Sequence, residues 1–339
     1  MSLTTSGTYT YSASAINLLT AALRIAQVIG DEETPTGPQL QNTLDAFAAM
    51  IKAWQGTGIH LWCEEECILF LQPSLTAVAN APGQTLYQLG PGSPDHACLF
   101  QQLTQTTLAS TAAAAASMIT LTSAAGVQSG DNIGIQLDAG INYWTTVAST
   151  PSGNVVSLTA SLPSQATGGA IVFDYTTPLM RPLRVMGGRR YVYSSGIDTP
   201  LQMWARLDYQ AQPNKMTPGT TTAFFYDPQT GQGAYTNAVG QMNVWPSPQT
   251  NQFGMRFTAQ RPIQDLGTLA NLPDFPVEWN AALKWNLAME IGPEHGTPVE
   301  QMSIIDKQAT KYYTMASEWD REPESIMFGV AMQPGYRRG

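Results

Sequence analysis

The chain has 339 residues, of which 43% are hydrophobic and only 12% are charged, and its net charge is −9. This length allows two or three domains, and the hydrophobic share excludes wholesale disorder. The acidic balance argues against a protein that wraps DNA by neutralising its phosphates. An acidic protein could still line a path along which DNA slides, and the alternative is that the charge serves only solubility. A surface so poor in charge also predicts burial against other subunits.

Cysteine usage and the N-terminal sequence indicate the compartment. Three cysteines, Cys63, Cys67 and Cys98, provide no disulfide framework and suit a reducing environment. The first residues, MSLTTSGTYTYSAS, lack a basic region followed by an apolar core, so we expect no signal peptide. No apolar run reaches the roughly 18 residues that a membrane-spanning helix needs. We therefore expect a protein that is made and kept in the cytosol unless it leaves as part of a particle.

Two amphipathic helices are predicted near the N-terminus. The first covers residues 13–29, with Ser12 or Ser14 as its cap and Gly30 at its end. Its apolar face consists of Ile16, Leu19, Leu23 and Ala26. The second begins at Pro38, which suits a first helical turn. Its apolar residues follow in alternating steps of four and three, and they are Leu40, Leu44, Phe47, Ile51 and Trp54.

A long β-rich insertion is predicted over residues 68–275, where turn residues multiply between short alternating runs. The candidate strands of its first part cover residues 118–121, 131–137, 141–148, 154–159 and 169–175. Their spacing predicts a separate small barrel or sandwich over residues 104–175. The candidate strands of its second part cover residues 191–193, 201–207, 221–226, 242–245 and 253–258.

Helical periodicity returns after Pro276. The third helix has apolar residues four apart, and they are Trp279, Leu283, Leu287 and Ile291. Thr297 and Glu300 have the spacing of a capping box at the start of a fourth helix, whose periodic face ends at Trp319. Residues 321–339 have no periodicity and predict an extended arm.

These elements together predict an α+β fold. One amphipathic hairpin cannot bury both of its faces, so the helix pairs in residues 1–67 and 276–320 are expected to pack together. The expected architecture is an antiparallel helical bundle formed by the N- and C-terminal helix pairs, with the β-rich insertion projecting from it and an extended C-terminal arm. Trp54 and Trp319 are expected in the core of this bundle.

The sequence contains no phosphate-binding GxxxxGK[ST] loop, GxGxxG, HExxH or GxSxG motif. The best metal candidates are His60, Cys63 and Cys67, but a zinc site needs further ligands that the sequence does not supply at a suitable spacing. We therefore expect no enzyme, no metal and no cofactor.

Two clusters of charged residues are candidate sites. The acidic run Glu64, Glu65 and Glu66 could supply the paired carboxylates of a glycoside hydrolase, but a solvated acidic turn is the favoured interpretation. The densest basic cluster is a candidate contact to DNA or to a neighbouring subunit, and local pairing on a β surface is its favoured alternative. Its members are Arg181, Arg184, Arg189 and Arg190.

Several segments, in the same order along the chain, resemble one protein family. RIAQVIGDEETPT and LQNTLDAFAAMIKAWQGTGIHLW resemble the start of the adaptor proteins of tailed bacteriophages, also called head-completion or packaged-DNA-stabilisation proteins. FPVEWNAALKWNLAMEIGPEHGTPVEQM, residues 275–302, resembles their second helical hairpin. RPLRV, PLQMWARLDYQAQPNK, MNVWPSP and RPIQDL are similar to segments of larger members, the tail tubular proteins of short-tailed phages.

The resemblance implies a homo-oligomeric ring, commonly dodecameric, below the portal protein at the neck of the virion. It implies that DNA passes through the ring without sequence-specific binding, that tail tube or nozzle proteins attach to it, and that no membrane is involved. The C-terminal arm is expected to dock on the portal through Phe328, Tyr336, Arg337 and Arg338. The alternatives are a virion-associated cell-wall hydrolase and a carbohydrate-binding tail-decoration protein that binds through its β region.

Overall fold

The computed structural model describes residues 13–57, 61–74, 82–228 and 239–320. They divide into two compact units, one from the described parts of Met1–Trp62 and Ile263–Gly339 and the other from those of Cys63–Pro262. The fold mixes helix and sheet, as the sequence predicts. None of the described helices is both long enough and apolar enough to cross a bilayer.

Five α-helices lie in the described residues, and the third belongs to the second unit. They are α1 (Ala15–Ile25), α2 (Gly37–Thr57), α3 (Arg206–Gln210), α4 (Asn280–Ile291) and α5 (Val299–Trp319). The described strands are β1 (Glu64–Leu69), β2 (Leu86–Leu89), β3 (Ala97–Leu99), β4 (Thr104–Thr107), β5 (Met118–Thr120), β6 (Asn132–Gln136), β7 (Asn142–Thr146), β8 (Val155–Ser157), β9 (Ile171–Tyr175), β10 (Arg184–Val192), β11 (Asp198–Met203), β12 (Pro218–Gly219), β13 (Ala223–Asp227), β14 (Gly240–Trp245), β15 (Ser247–Pro248) and β16 (Phe253–Gln260).

Helix α4 is central to the first unit because it packs against α1, α2 and α5. Its buried residues include Leu283, Leu287 and Ile291, which are the residues that the fourfold spacing predicts. Trp54, from α2, contacts Trp279 with ring centroids 5.8 Å apart. Apolar burial around α4 therefore joins helices from the two ends of the sequence.

Two predicted burial assignments are wrong. Trp319, expected in the core, is 56% exposed, and Ile16, expected on the apolar face of α1, is 40% exposed. Both residues lie at the edge of a periodic face, where the helix turns away from its neighbours. A periodic pattern indicates which side of a helix is apolar, but the width of the buried stripe depends on the packing partners.

The predicted helix caps are right in position for α1 and wrong for α5. Ser14 is the N-cap residue of α1, but its side chain makes no cap hydrogen bond, and the first amides donate to backbone carbonyls, from Ala15 N to Asn271 O and from Ile16 N to Leu269 O. Pro298, rather than Thr297, is the N-cap residue of α5, and it makes no side-chain hydrogen bond. The first N–H groups of a helix have no acceptor within the helix, so they donate to other acceptors nearby. In α1 these acceptors are carbonyl groups that are distant in the sequence.

Eight strands of the second unit form one large sheet in the order β2-β14-β13-β11-β10-β16-β1-β3. If the sheet were flat, its two edge strands would lie about 33 Å apart. Residues 90–96 join these edges and span at most about 29 Å even when extended. They turn instead, with Ser93 N donating to Gly90 O, so the sheet curls into a nearly closed barrel.

The interior of this barrel is apolar. Its cluster draws residues from both edge strands and from the strands between them, including Tyr87, Ala97, Phe224, Met255 and Phe257. Across the opening between the edges, Gln72 N donates a 2.9 Å hydrogen bond to the Tyr87 hydroxyl. The two ends of the sheet are therefore held together by one shared core.

Strands β4 to β9 form a second, smaller barrel. The pairing runs β4-β9-β6-β7, and β5 pairs with β8. Isolated bridges close the circle, because Leu108 pairs with Leu121 and Val147 pairs with Leu158. Strands occur in all five segments predicted between residues 118 and 175, whereas β4 was not predicted.

The small barrel and the large sheet share a buried aromatic cluster within the second unit. Phe70 contacts Trp144 and Phe173 with ring centroids 4.7 and 4.9 Å apart. A 2.6 Å hydrogen bond from Gln136 Nε2 to Asn251 O adds a polar link.

The strand predicted over residues 201–207 is partly wrong, since β11 ends at Met203 and the chain then enters α3.

Candidate interaction sites

The acidic run lies in strand β1 and not in the solvated turn that the sequence predicts. The Glu66 carboxylate accepts hydrogen bonds from Arg189 Nη2 at 2.6 Å, Arg256 Nε at 2.8 Å and Thr258 Oγ1 at 2.7 Å. Arg256 also donates to Asp198 at 3.2 Å. The carboxylate therefore belongs to an ion-pair network that connects four neighbouring strands of the large sheet.

This network makes Glu66 unsuited to donate a proton. Burial raises the pKa of Glu66, but hydrogen bonds from Thr258 and Arg189 outweigh it and hold the pKa below its usual value. A general acid in glycoside hydrolysis needs a raised pKa. Glu65 points to the opposite face of the strand, where it pairs with Arg261 at 3.1 Å. Adjacent strand residues therefore cannot present both carboxylates to one glycosidic bond.

The four arginines of the predicted basic cluster have different surroundings. Arg189 is paired with Glu66, and the Arg190 guanidinium lies 5.6 Å from the Phe253 ring centroid. Arg181 Nη1 donates to Pro228 O at 2.9 Å. Arg184 is exposed and lines an open groove. Local contacts thus account for three of them, and a role in binding DNA or another subunit stays a prediction.

The metal candidates do not assemble in the described part of the chain. His60 lies outside the described residues, and the described residues contain no group of three potential metal ligands. Cys63, Cys67 and Cys98 are buried. Burial raises the pKa of both the Cys67 and the Cys98 thiol far above the usual value, so both remain protonated and unreactive at neutral pH.

The small barrel contains two buried carboxylic acids that no sequence motif singles out. Asp131 and Asp174 are 1% and 2% exposed, and each has one carboxylate oxygen without a hydrogen-bond partner. Burial, together with the charge of Asp131, raises the pKa of Asp174 to about 7. In the sequence, each aspartate stands at an inward position of an alternating strand. This pattern alone does not distinguish a buried aspartate from one at a strand edge or in a turn.

Helix α5 leaves apolar side chains in solvent. Val299, Ile304, Met315 and Trp319 are 86%, 51%, 56% and 56% exposed. The last three lie within about 60° of one another around the helix axis. Large apolar residues that share one exposed side of a helix make this side of α5 a candidate contact surface. The predicted docking residues that follow this helix lie outside the described residues, and they are Phe328, Tyr336, Arg337 and Arg338.

Comparison with known proteins identifies no family. No family model and no curated protein matches the chain. One solved structure that matches is the Gp54 tailspike of Acinetobacter baumannii bacteriophage AP22 in complex with A. baumannii capsular saccharide, at 20% identity and a TM-score of 0.21. The match covers 23% of this chain and 15% of that chain, which is too little to relate the two folds. The adaptor resemblance remains a prediction from sequence.

Proposed function

We propose that this chain is a structural protein of a tailed-phage particle: a head-to-tail adaptor. In this proposal, copies of the chain form a ring below the portal, help to retain packaged DNA and provide the attachment site for the tail. The observation that carries the proposal is the exposed apolar side of α5, because a ring subunit must bury such a surface against its neighbour.

The organisation of the chain supports the same proposal. Residues from both ends of the sequence meet in one helical unit, and the β unit is inserted between them. The motif order of the adaptor resemblance implies this arrangement. We propose that the terminal helix pairs form the bundle of the ring wall and that the arm, with Phe328, Tyr336, Arg337 and Arg338, docks on the portal.

Charge is consistent with a DNA channel. A net charge of −9 with 12% charged residues lets DNA pass without adhering, because like charges repel. Catalysis is not part of the proposal, since Glu66 is held as a paired carboxylate. The protein would act by geometry alone, as one ring that connects the portal to the tail.

The first test is electron microscopy of the purified chain, alone and mixed with the portal protein encoded with it. We expect rings, and we expect Ile304→Asp with Met315→Asp to convert them to monomers because a charge cannot be buried unpaired in the contact. Thr310→Asp, on an exposed polar position of the same helix, should leave the rings intact. A chain that stays monomeric with the portal present would refute the adaptor.

A further inference from the structure

The small barrel formed by β4 to β9 contains buried negative charge and no positive charge of its own. Between residues 104 and 175 the charged side chains are Asp131, Asp138 and Asp174, and the sequence has no Lys, Arg or His there. Asp138 is exposed, whereas Asp131 and Asp174 are 1% and 2% exposed. Buried charges in proteins are paired with opposite charges or coordinate a metal ion. The barrel has no basic residue that could pair with these two carboxylates.

Both buried carboxylates lie on the inner side of the barrel. Asp174 follows Phe173, which belongs to the aromatic cluster outside the barrel, so the Asp174 side chain shares the inner side with Val172. Asp131 immediately precedes β6 and shares the orientation of Ile133, another residue of the barrel core. The two carboxylates therefore enter one interior from adjacent strands.

The register of β6 and β9 brings the two carboxylates together. Ile133 pairs with Asp174, so Asp131, two residues before Ile133, is the diagonal neighbour of Asp174 across the ladder. Diagonal neighbours in an antiparallel pair lie about 7 to 8 Å apart, and their β-carbons are somewhat closer. A Ca²⁺ ion binds oxygen at about 2.3 to 2.6 Å, so it can bridge two oxygen atoms up to roughly 5 Å apart. The diagonal spacing suits one ion held between the two side chains.

One oxygen of each carboxylate has no partner among the described protein atoms. Asp131 Oδ2 accepts a 2.6 Å hydrogen bond from Gln128 N, whereas Asp131 Oδ1 is buried without a hydrogen bond. Asp174 Oδ1 is buried in the same way. Nearly all buried polar atoms in proteins have a partner, and an ion is one explanation for those that lack one. Two such oxygens, both from carboxylates and on neighbouring strands, favour a cation.

The turn before β6 completes this end of the barrel. Within residues 123–130, Val127 packs into the barrel core, while most of the other residues are exposed. Gly126, with a φ of +92°, lies beside Thr104, because a Cβ built on this glycine would be 3.6 Å from Thr104 Oγ1. Thr104 in turn pairs with Asp174. The Thr104 hydroxyl and the carbonyl groups of the turn are therefore further oxygen ligands at this end, and the exposed turn gives an ion access from solvent.

We propose that Asp131 and Asp174 bind one Ca²⁺ ion at this end of the small barrel. All the candidate ligands are oxygen atoms, which favours a hard cation over zinc or copper. Calcium accepts irregular coordination, whereas magnesium requires a nearly ideal octahedron and retains several waters. With only two carboxylates the site should bind weakly, with a Kd of about 0.1 to 1 mM. The inference concerns the small barrel alone and does not depend on the adaptor proposal.

Thermal unfolding of the full-length protein, first stripped of divalent ions with EDTA, tests the site. We expect about 10 mM CaCl2 to raise the melting temperature above that in NaCl of equal ionic strength, by mass action. Asp131→Asn and Asp174→Asn each remove one ligand charge, so each should abolish this shift and weaken calcium binding in isothermal titration calorimetry by roughly tenfold or more. Asp138→Asn, at the exposed carboxylate of the same barrel, is the control and should keep both the shift and the affinity.

The effect of Asp174→Asn should also depend on calcium. In EDTA this variant should melt at a higher temperature than the unchanged protein because it removes repulsion between two buried carboxylates. Calcium should narrow or reverse this difference, because only the unchanged protein offers both ligands. The absence of a calcium shift in the unchanged protein would overturn the inference and leave a proton shared by the two carboxylates as the explanation. An equal calcium shift in Asp131→Asn and Asp174→Asn would place the ion elsewhere, and an equal shift with MgCl2 would overturn the assignment to calcium.

Discussion

The hydroxyl of Thr297 donates a 2.7 Å hydrogen bond to the carbonyl oxygen of Ala26, across 271 positions of sequence. Gln301 Nε2 donates to the neighbouring carbonyl of Ile25 at 3.3 Å. The last carbonyls of α1 have no partners within the helix, and side chains at the start of α5 supply them. The two ends of the chain are therefore connected by a helix cap that one end provides for the other.

Because of this contact, we expect that removing the Thr297 hydroxyl lowers the stability of the protein. Thr297→Val keeps the side-chain shape but leaves the Ala26 carbonyl without its donor, so the free energy of unfolding should fall by about 1 to 2 kcal/mol. Urea unfolding followed by helical circular dichroism measures this change. Thr310→Val, at an exposed position of the same helix, is the control and should change stability by less than about 0.5 kcal/mol. Equal losses in both variants would show that the cap contributes nothing.

The Glu66 network predicts a loss of stability in acid. The pKa of the Glu66 carboxyl is lower in the folded protein than its unfolded value of 4.5. The contribution of this carboxylate to the free energy of unfolding is therefore complete above pH 4.5 and disappears as the pH falls through the folded pKa. Glu66→Gln should lower the free energy of unfolding by about 1 kcal/mol at neutral pH, a modest figure because the carboxylate is partly exposed. The difference from the unchanged protein should narrow below pH 4.5. Glu290→Gln, at an exposed site, should show no such trend.

We expect Asp174 to make stability depend on pH in the opposite direction. Its pKa is near 3.8 when unfolded and about 7 when folded, so the folded state binds an extra proton between these values. Stability should therefore decrease as the pH rises through this window. Asp174→Asn removes the ionisation and should raise the melting temperature at pH 8 relative to the unchanged protein, by an amount that shrinks towards pH 5.

Asp138→Asn is a contrasting control within the small barrel. The Asp138 carboxylate is exposed, and a hydrogen bond from the Thr167 amide lowers its pKa. The loss caused by Asp138→Asn should therefore be greatest at neutral pH and vanish in acid. If Asp174→Asn showed the same trend as Asp138→Asn, the burial argument for Asp174 would be wrong.

Two adjacent glycines of β10 predict unequal tolerance to a methyl group. A Cβ at Gly188 would lie 2.7 Å from Met255 Cε and 2.8 Å from Phe224 Cε1, inside the large barrel, whereas a Cβ at Gly187 would meet nothing within 4 Å. Gly188→Ala should lower the free energy of unfolding by about 1 to 3 kcal/mol because the core must shift. Gly187→Ala should be neutral or slightly stabilising. Chemical denaturation of the two variants measures this difference in the free energy of unfolding.

Local patterns allowed much of the secondary structure to be predicted. The steps of four and three residues that include Phe47 and Ile51 predict α2, and the alternation of Ile133 and Ile135 predicts β6. Both signals arise within a few residues, because a helix or a half-buried strand repeats its buried side at a short period. The mixed composition of the fold follows from such signals alone.

Tertiary structure decided the features that depend on distant partners. The acidic run predicts a solvated turn at Glu66, yet Arg189 and Arg256 hold this residue within the sheet from 123 and 190 positions away. Thr297 has the spacing of a cap for its own helix, but it caps α1 instead. Periodicity specifies which face of an element is apolar, whereas pairing energy between distant segments selects the neighbour, and no short window of sequence contains that information.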